Sequence, residues 1–249
     1  MRAPCSAMAW AAGVAVALLA ASSAQAGPPF LTDDPEPTDT GHWEIYAPAI
    51  DAAGKGRNYE GAAGAEFNYG AAPNLQLTVG VPVSFEHDGD GFKTGRGDLE
   101  LSVKYRFFHD DDAGVSAAIF PGLTLPTARR GFGAGRVTGF LPVWAQKDSG
   151  PWSLFGGGGY AINPGAGNRN FWSGGVAVSR EVSDRLLLGV EVDRDGADTD
   201  GGEASTSLGL GAILQLKKPF RLLGSAGPTY SDGGGSPGFH AFLALGLDF

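Results

Sequence analysis

The 249-residue sequence has 27 acidic and 18 basic residues, a formal net charge of -9, 41 glycines, 16 prolines and a single cysteine. Charged residues make up only 18% of the chain, and the abundant glycine has no collagen-like period. This composition is typical of many strands and turns rather than of helices. The acidic balance, with no run of Lys or Arg, excludes nucleic acid as a partner, because phosphate binding requires a basic face.

Residues 1–26 have the three parts of a secretory signal peptide. Arg2 supplies the positive charge, residues 7–21 form an apolar run, and Ala24-Gln25-Ala26 is a cleavage motif of the A-x-A type. The apolar run is shorter than the ~20 residues that a membrane-spanning helix needs. We therefore predict export and cleavage after Ala26, which also removes Cys5.

The segment after the signal peptide, residues 27–40, is rich in proline and in acidic residues such as Asp33, Asp34 and Glu36. Proline provides no backbone N–H for a sheet ladder. This segment is therefore predicted to be an extended N-terminal arm in the periplasm rather than a strand.

From Gly41 onward the chain is a series of stretches in which apolar and polar residues alternate. The clearest is residues 75–86, where Leu, Val and Phe hold the odd positions and Gln, Thr, Gly, Pro, Ser and Glu the even ones. A helix would need apolar residues three and four apart, so a two-residue period predicts strands. The predicted strands are 41–50, 59–69, 75–86, 97–108, 114–126, 136–147, 152–163, 170–182, 185–195, 204–217, 220–231 and 239–249.

The predicted connections alternate between long loops and short turns. The long loops are 51–57, 87–96, 127–135, 164–169, 196–203 and 232–237, and the short turns are 71–74, 110–113, 148–151, 183–184 and 218–219. An even number of strands of about ten residues, with long loops at one end, is the pattern of outer-membrane barrels. We predict an all-β chain in which residues 41–249 form a closed antiparallel transmembrane β-barrel of about 12 strands. A secreted β-sandwich is the alternative.

Two further features favour the barrel. The last predicted strand ends on the aromatic residue Phe249, and pairing this strand with the first would leave no exposed sheet edge, as a membrane requires. Aromatic residues near strand ends are typical of the girdles at a membrane interface. The candidates for these girdles are Trp43, Tyr69, Tyr105, Trp152, Trp172 and Phe249.

The N-terminal arm carries a motif that is more specific than the strands. Residues 27–37 read Gly-Pro-Pro-Phe-Leu-Thr-Asp-Asp-Pro-Glu-Pro and are followed by Gly41-His42-Trp43-Glu44. Together with residues 67–75 and Gly97-Asp98-Leu99, this motif resembles the proteobacterial outer-membrane proteins named for the MetA pathway of phenol degradation. The resemblance covers the chain after residue 26 and implies an outer-membrane β-barrel of a family described as transporters, and it offers no catalytic residues to carry over.

If the apolar face of each strand meets lipid, the polar face lines the barrel interior. The charged residues predicted there are Glu44, Glu60, Glu66, Glu86, Asp98, Glu100, Lys104, Arg106, Arg136, Glu191, Asp193, Arg221, His240 and Asp248. They either line a water-filled pore that selects solutes or form ion pairs that fill a narrow barrel. The aromatic residues predicted to point inward are Phe108, Phe120, Phe140, Phe155 and Phe242.

The sequence thus predicts a passive outer-membrane channel for small solutes, with aromatic or hydrophobic compounds as the candidate solutes, and with no cofactor and no metal. Its expected partners are outer-membrane lipid and the barrel-assembly machinery, which would engage the C-terminal strand ending at Phe249. One alternative is a structural or lipid-interacting barrel with an occluded interior. Another is an outer-membrane esterase or lipase built on His240, although no serine lies at a signature spacing.

Overall fold

The computed structural model describes residues 29–89 and 91–249, so the predicted signal peptide lies outside the described residues. No helix in these two ranges is long and apolar enough to cross a membrane. The described residues form fourteen strands: β1 Trp43–Lys55, β2 Asn58–Ala72, β3 Leu75–His87, β4 Phe92–Arg96, β5 Leu99–Asp110, β6 Val115–Ile119, β7 Gly122–Leu125, β8 Thr138–Ser149, β9 Trp152–Ile162, β10 Phe171–Ser183, β11 Leu186–Asp195, β12 Ser205–Gln215, β13 Phe220–Ser231 and β14 Gly238–Asp248.

These strands make a barrel of twelve. Strands β4 and β5 both pair with β3 and together form the fourth barrel strand. Strands β6 and β7 both lie between β5 and β8 and together form the fifth. All the strand pairings are antiparallel, and apart from the pairing of β1 with β14 they join barrel strands that are neighbours along the chain.

The barrel closes by pairing the first strand with the last. Strand β1 pairs with β14 from Glu44 opposite Asp248 to Gly54 opposite Phe239. Beyond this ladder, the Trp43 N–H donates to the Phe249 carbonyl at 2.6 Å, and the Phe249 N–H donates back at 3.0 Å. The predicted closure of the terminal strand on the first is confirmed, and the alternative of a secreted β-sandwich is wrong.

The two faces of the wall have opposite character. On β12, Leu208 and Leu210 point outward and are 44% and 69% exposed, whereas the inward Ser207 is 6% exposed. Aromatic residues mark both ends of the outer face: Trp43 and Tyr69 lie 4.7 Å apart at one end, and Tyr160 and Trp172 lie 5.2 Å apart at the other. This arrangement matches the predicted girdles.

The two ends of the barrel differ in their connections. One end, called the short-turn end, has the connections 73–74, 111–114, 150–151, 184–185 and 216–219. The opposite end, called the long-loop end, has the connections 56–57, 88–91, 126–137, 163–170, 196–204 and 232–237.

Two β-bulges change the predicted orientation of side chains. In β1 the register shifts between Tyr46 and Ala49, and one extra residue exchanges the two faces. Strand β1 also continues to Lys55, into the predicted loop 51–57, and the shift leaves Ile50 outward and Asp51 opposite the inward Phe242. A second shift in β5 places Phe108 opposite Ala117, and Phe108 is 47% exposed rather than inward as predicted.

Two other predicted boundaries are corrected. Residues 92–96 were predicted as loop but form β4, which pairs with the end of β3. Arg136 was predicted to lie on a strand and to line the interior, but β8 begins only at Thr138, so Arg136 is an exposed residue of the preceding loop.

The seam between the first and last strands is held by a buried arginine. Arg221 of β13 reaches across β14, donating to the Tyr46 hydroxyl at 2.9 Å and lying 3.3 Å from the Asp248 carboxylate. It also forms an ion pair with Glu44, whose carboxylate accepts a hydrogen bond from Tyr46 at 2.6 Å. Three adjacent strands of the seam therefore share one charged cluster.

We expect Arg221→Gln to lower the free energy of unfolding by about 3 kcal/mol, because it removes the buried cation that pairs with the partly buried Glu44 and Asp248 carboxylates. Urea titration in lipid vesicles, followed by tryptophan fluorescence, measures the change. The control is Arg180→Gln, since Arg180 is exposed and stacks 5.1 Å from the Trp152 ring; its loss should cost under about 1 kcal/mol. Equal losses for the two variants would contradict the assigned role.

Candidate functional site: the occupied barrel interior

The middle of the barrel interior is occupied by the chain's own N-terminal arm, here residues 29–38. The chain enters at the short-turn end, where Gly41 N–H donates to the Gly70 carbonyl at 2.7 Å. Inside, Phe30 is 9% exposed, and Thr32 and Asp34 are completely buried. The arm was predicted to lie in the periplasm, and its described part instead lies within the barrel.

Acidic residues of the arm meet two basic residues of β5. Lys104 Nζ lies 3.0 Å from Asp33 Oδ1 and 3.9 Å from Asp34 Oδ1, and it also donates to the Glu36 carbonyl at 3.4 Å. Arg106 forms an ion pair with the Glu36 carboxylate. Since Lys104 is only 4% exposed, these contacts neutralise a charge that burial would otherwise penalise heavily.

A polar network on β2 and β3 holds the arm near its point of entry. The Gln76 side-chain oxygen accepts hydrogen bonds from the Thr38 N–H at 2.7 Å and the Thr38 hydroxyl at 3.0 Å. The amide nitrogen of Gln76 donates to Asn68 at 2.9 Å, and Asn68 donates to Glu66 at 2.8 Å. The inward polar residues of the wall thus form hydrogen bonds both with each other and with the arm.

The far side of the barrel binds the arm through its backbone. The Glu191 carboxylate of β11 accepts hydrogen bonds from the Leu31 N–H at 3.1 Å and the Thr32 N–H at 3.0 Å. Ser225 of β13 donates to the carbonyl of Pro29. Because β11 and β13 lie across the barrel from β3 and β5, the arm spans the full width of the interior.

Phe30 is the apolar anchor of the arm. Its ring packs edge-on against Phe155 at 5.8 Å, within a buried cluster that includes Ala177 and against which Leu187 packs. Two glycines of the wall make room for it, because an added Cβ would lie 2.5 Å from the Phe30 ring at both Gly189 and Gly211. Burying this ring contributes roughly 2 kcal/mol to holding the arm in place.

Space remains on both sides of the arm. At the short-turn end a cavity of about 880 Å³ is lined by residues that include Arg185, Leu187 and Lys218. Towards the long-loop end a cavity of about 540 Å³ is lined by residues that include Glu100 and Asp195. On β11, Leu187 faces the first cavity, Asp195 faces the second, and Glu191 between them binds the arm, so the arm separates the two cavities.

The predicted interior residues fall into distinct groups. Lys104, Arg106 and Glu191 bind the arm, and Glu44, Glu66 and Arg221 belong to the adjoining networks. Asp98 accepts hydrogen bonds from the backbone of Ala128 and Ala134 and so fixes the 126–137 loop. Glu86 forms an ion pair with Lys93 at 3.3 Å. Glu60 lies on the inner face near the start of β2, opposite Ala53 of β1 and Glu86 of β3.

Two further predicted interior residues form none of the described hydrogen bonds or ion pairs with the arm. Asp193 and His240 are 4% and 6% exposed on the inner face. His240 Nδ1 lies 3.5 Å from the Thr229 hydroxyl, which is the long limit for a hydrogen bond. Among the described hydrogen bonds none joins His240 to a serine, so the nucleophile–base contact of an esterase is not formed there. In residues 29–89 and 91–249, no group of three or more His, Cys, Asp or Glu side chains is arranged to hold a metal ion.

Sequence reasoning missed the arm's own part in the site. Asp33, Asp34 and Glu36 were noted only as acidic residues of an external segment. A signal was nevertheless present, because Lys104 and Arg106 are two basic residues on one face of a predicted strand, and three carboxylates in the arm match them in charge.

The charge state of the arm depends on Asp34. Burial raises the pKa of the Asp34 carboxyl from 3.8 to about 7, although the nearby Lys104 ammonium acts in the opposite direction. Neighbouring carboxylates, Asp33 first among them, also raise this pKa. At neutral pH the buried carboxyl is therefore close to its titration point.

A closed barrel with an apolar outer face, two aromatic girdles and a polar interior defines the class of transmembrane β-barrels. Its fold is similar to that of an outer membrane channel from Pseudomonas putida F1, with a TM-score of 0.69 and 14% identity over 87% of this chain and 98% of that one. It is also similar to the NanC porin, with a TM-score of 0.56 and 10% identity over 81% of this chain and 99% of that one.

No protein-family model and no curated protein matches the sequence. The structural likeness supports an outer-membrane barrel fold, while the resemblance to the phenol-degradation family stays a prediction.

We expect Glu191→Ala to loosen the arm by about 2 kcal/mol, because two backbone N–H groups lose a charged acceptor. Amide hydrogen exchange at Leu31 and Thr32 should then accelerate about thirtyfold. Glu60→Ala removes another inward carboxylate without touching the arm and should leave these rates unchanged. Unchanged exchange in Glu191→Ala would refute the assigned contact.

The raised pKa of Asp34 makes docking of the arm pH-dependent. A carboxyl that is protonated more readily when docked favours docking at low pH, and this contribution is lost as pH rises from about 4 through about 7. We expect the docked fraction to fall between pH 5 and pH 8, measured by ¹⁹F NMR of a trifluoromethyl tag on Leu31→Cys. Adding Asp34→Asn should flatten the profile, and an unaltered profile would argue against Asp34 as the titrating group.

Proposed function

We propose that this protein is an outer-membrane barrel that acts as a passive channel for small solutes, and that its arm is a removable plug. In this arrangement the short-turn end faces the periplasm and the long loops face the outside. Transport follows the solute gradient and requires no cofactor. The inward Phe120, Phe140 and Phe242 support the passage of aromatic or hydrophobic solutes.

The observation that carries this proposal is that a short polar segment lies between two cavities. A permanent filling would be expected to be apolar and closely packed, as protein interiors are. The arm is instead held mainly by ion pairs and hydrogen bonds, and water replaces such contacts at low net cost. Withdrawal of ten residues, 29–38, would join the cavities of about 540 and 880 Å³.

The runner-up is a structural or lipid-interacting barrel whose interior stays filled. It is favoured by the socket at Gly189 and Gly211, which fits the Phe30 ring closely. Under this proposal the arm acts as an internal scaffold that never leaves.

The outer surface has features that fit two proposed partners, outer-membrane lipid and the barrel-assembly machinery. Its exposed Leu, Val and Ile side chains fit outer-membrane lipid, and the aromatic residues at both ends fit the headgroup region. Phe249 is 57% exposed at the end of the closing strand, where the barrel-assembly machinery would engage it before closure. Export by the predicted signal peptide, residues 1–26, belongs to the same proposal.

Single-channel recording in planar bilayers tests the plug. The intact protein should open rarely, and deletion of residues 29–38 should give a steady, larger conductance. Phe30→Ala removes about 2 kcal/mol of apolar contact, so we expect about thirtyfold more time in the open state. Leu31→Ala is the control on the same arm, because Leu31 is already 41% exposed.

The outcomes separate the alternatives. If the deletion and Phe30→Ala both fold but neither conducts, the channel is refuted and the filled barrel is favoured. Hydrolysis of an ester or lipid substrate that is lost in His240→Ala would instead favour the enzyme.

A further inference from the structure

The part of the wall that contacts the acidic residues of the arm binds carboxylates. We call this surface the arm seat and define it by Asn74, Gln76, Lys104, Arg106 and Phe120. Lys104 Nζ lies 3.0 Å from the nearest arm carboxylate and 4.7 Å from the centre of the Phe120 ring. Arg106 binds a second arm carboxylate and is oriented by Asn74, which accepts from its Nε at 2.9 Å.

The two cations of the arm seat have a fixed spacing. Lys104 and Arg106 are two residues apart on β5 and point to the same face, so their backbone positions are about 6 to 7 Å apart. Each cation meets a different carboxylate of the arm, Asp33 and Glu36. The arm therefore fills the seat as a ligand with two carboxylates would.

The surroundings tolerate this negative charge. The wall groups around the seat include Glu44 and Glu66 as well as Lys104, and Glu44 is already paired with Arg221. The segment 33–36 brings three further carboxylates and is still bound, with Asp34 fully buried. Local attraction to Lys104 and Arg106 thus outweighs the acidic character of the whole chain.

We propose that the arm seat is a binding site for aromatic dicarboxylates, and that such a solute opens the barrel by displacing the arm. The two carboxylates take the places of Asp33 and Glu36, and the ring lies against Phe120. This inference rests on the proposed channel, because the solute must enter the interior to reach the seat. The arm then acts as a built-in competitor of the transported solute.

Thiol labelling at a buried arm position tests the competition in the full-length mature protein. Thr32 is 0% exposed and its hydroxyl has no hydrogen-bond partner among the described atoms, so Thr32→Cys should be well tolerated. Cys5, the sole cysteine of the sequence, precedes the predicted cleavage site. A hydrophilic maleimide should react with the new thiol only when the arm leaves its seat.

The probe is terephthalate, which has carboxylates on opposite sides of one ring, and the matched neutral control is 1,4-benzenedimethanol. At about ten times its Kd, terephthalate should raise the labelling rate about tenfold, because it traps the undocked state. The diol should have no effect.

Wall variants identify the site. In Lys104→Gln or Arg106→Gln the basal labelling rate should rise, and terephthalate should add nothing. Arg185→Gln, which removes a positive charge from the other cavity, should respond like the parent. An unchanged rate with terephthalate, an equal effect of the diol, or a full response in Lys104→Gln would each overturn the proposal.

This readout does not depend on ion flow. Labelling that responds to terephthalate while no variant conducts would uphold the binding site and refute the channel. Conduction after arm deletion without any terephthalate effect would uphold the channel and refute the site.

Discussion

The whole structure depends on the pairing of the first strand with the last. A sheet in a membrane must leave no backbone group unpaired, and here the ladder between β1 and β14 meets that need from Glu44 to Gly54. The same seam places Glu44, Tyr46 and Arg221 within one buried cluster. Closure therefore fixes both the wall and the first charged network of the interior, next to the point where the arm enters.

Closure of the barrel also buries charged side chains in its interior, and the arm supplies partners for several of them. A barrel whose outer face is apolar must turn its polar residues inward, and a narrow barrel brings those charges together in poorly hydrated surroundings. Lys104, Arg106 and Glu191 find their partners in the arm, while Arg221 finds its partners in the wall. The interior is consequently stabilised by polar complementarity, with Phe30 as a single large apolar anchor.

Much of the wall could be predicted because strand periodicity is a local property. Residues 75–86 alternate without exception, and β3 follows them with the expected faces. The bulge in β1 was not predicted, since Ala47, Pro48 and Ala49 are all apolar and hide the position of the one-residue shift that turns Asp51 inward. Strand boundaries were also predicted imprecisely: β8 begins at Thr138, two residues after the predicted start at Arg136.

The site was harder to predict than the wall because its contacts join distant parts of the chain. Lys104 and Glu191 were identified as interior residues, but their partners lie 71 and 160 residues away. A proline-rich segment next to a predicted signal peptide has no periodicity that would place it inside a barrel. Only the matching charges of segment 33–36 and of Lys104 with Arg106 contained this information.

The glycines opposite Phe30 bear on how the interiors of other barrels with this architecture can be interpreted. At Gly189 and Gly211 the absence of a side chain is what leaves a hollow for an aromatic ring, since any Cβ would overlap it. The shape of the wall is thus complementary to the arm at this point. In a barrel of the same architecture, paired glycines on adjacent strands, together with a phenylalanine in the N-terminal segment, would indicate that this segment lies inside the barrel. Bulkier residues at the two glycine positions would indicate that no aromatic ring of the N-terminal segment binds there.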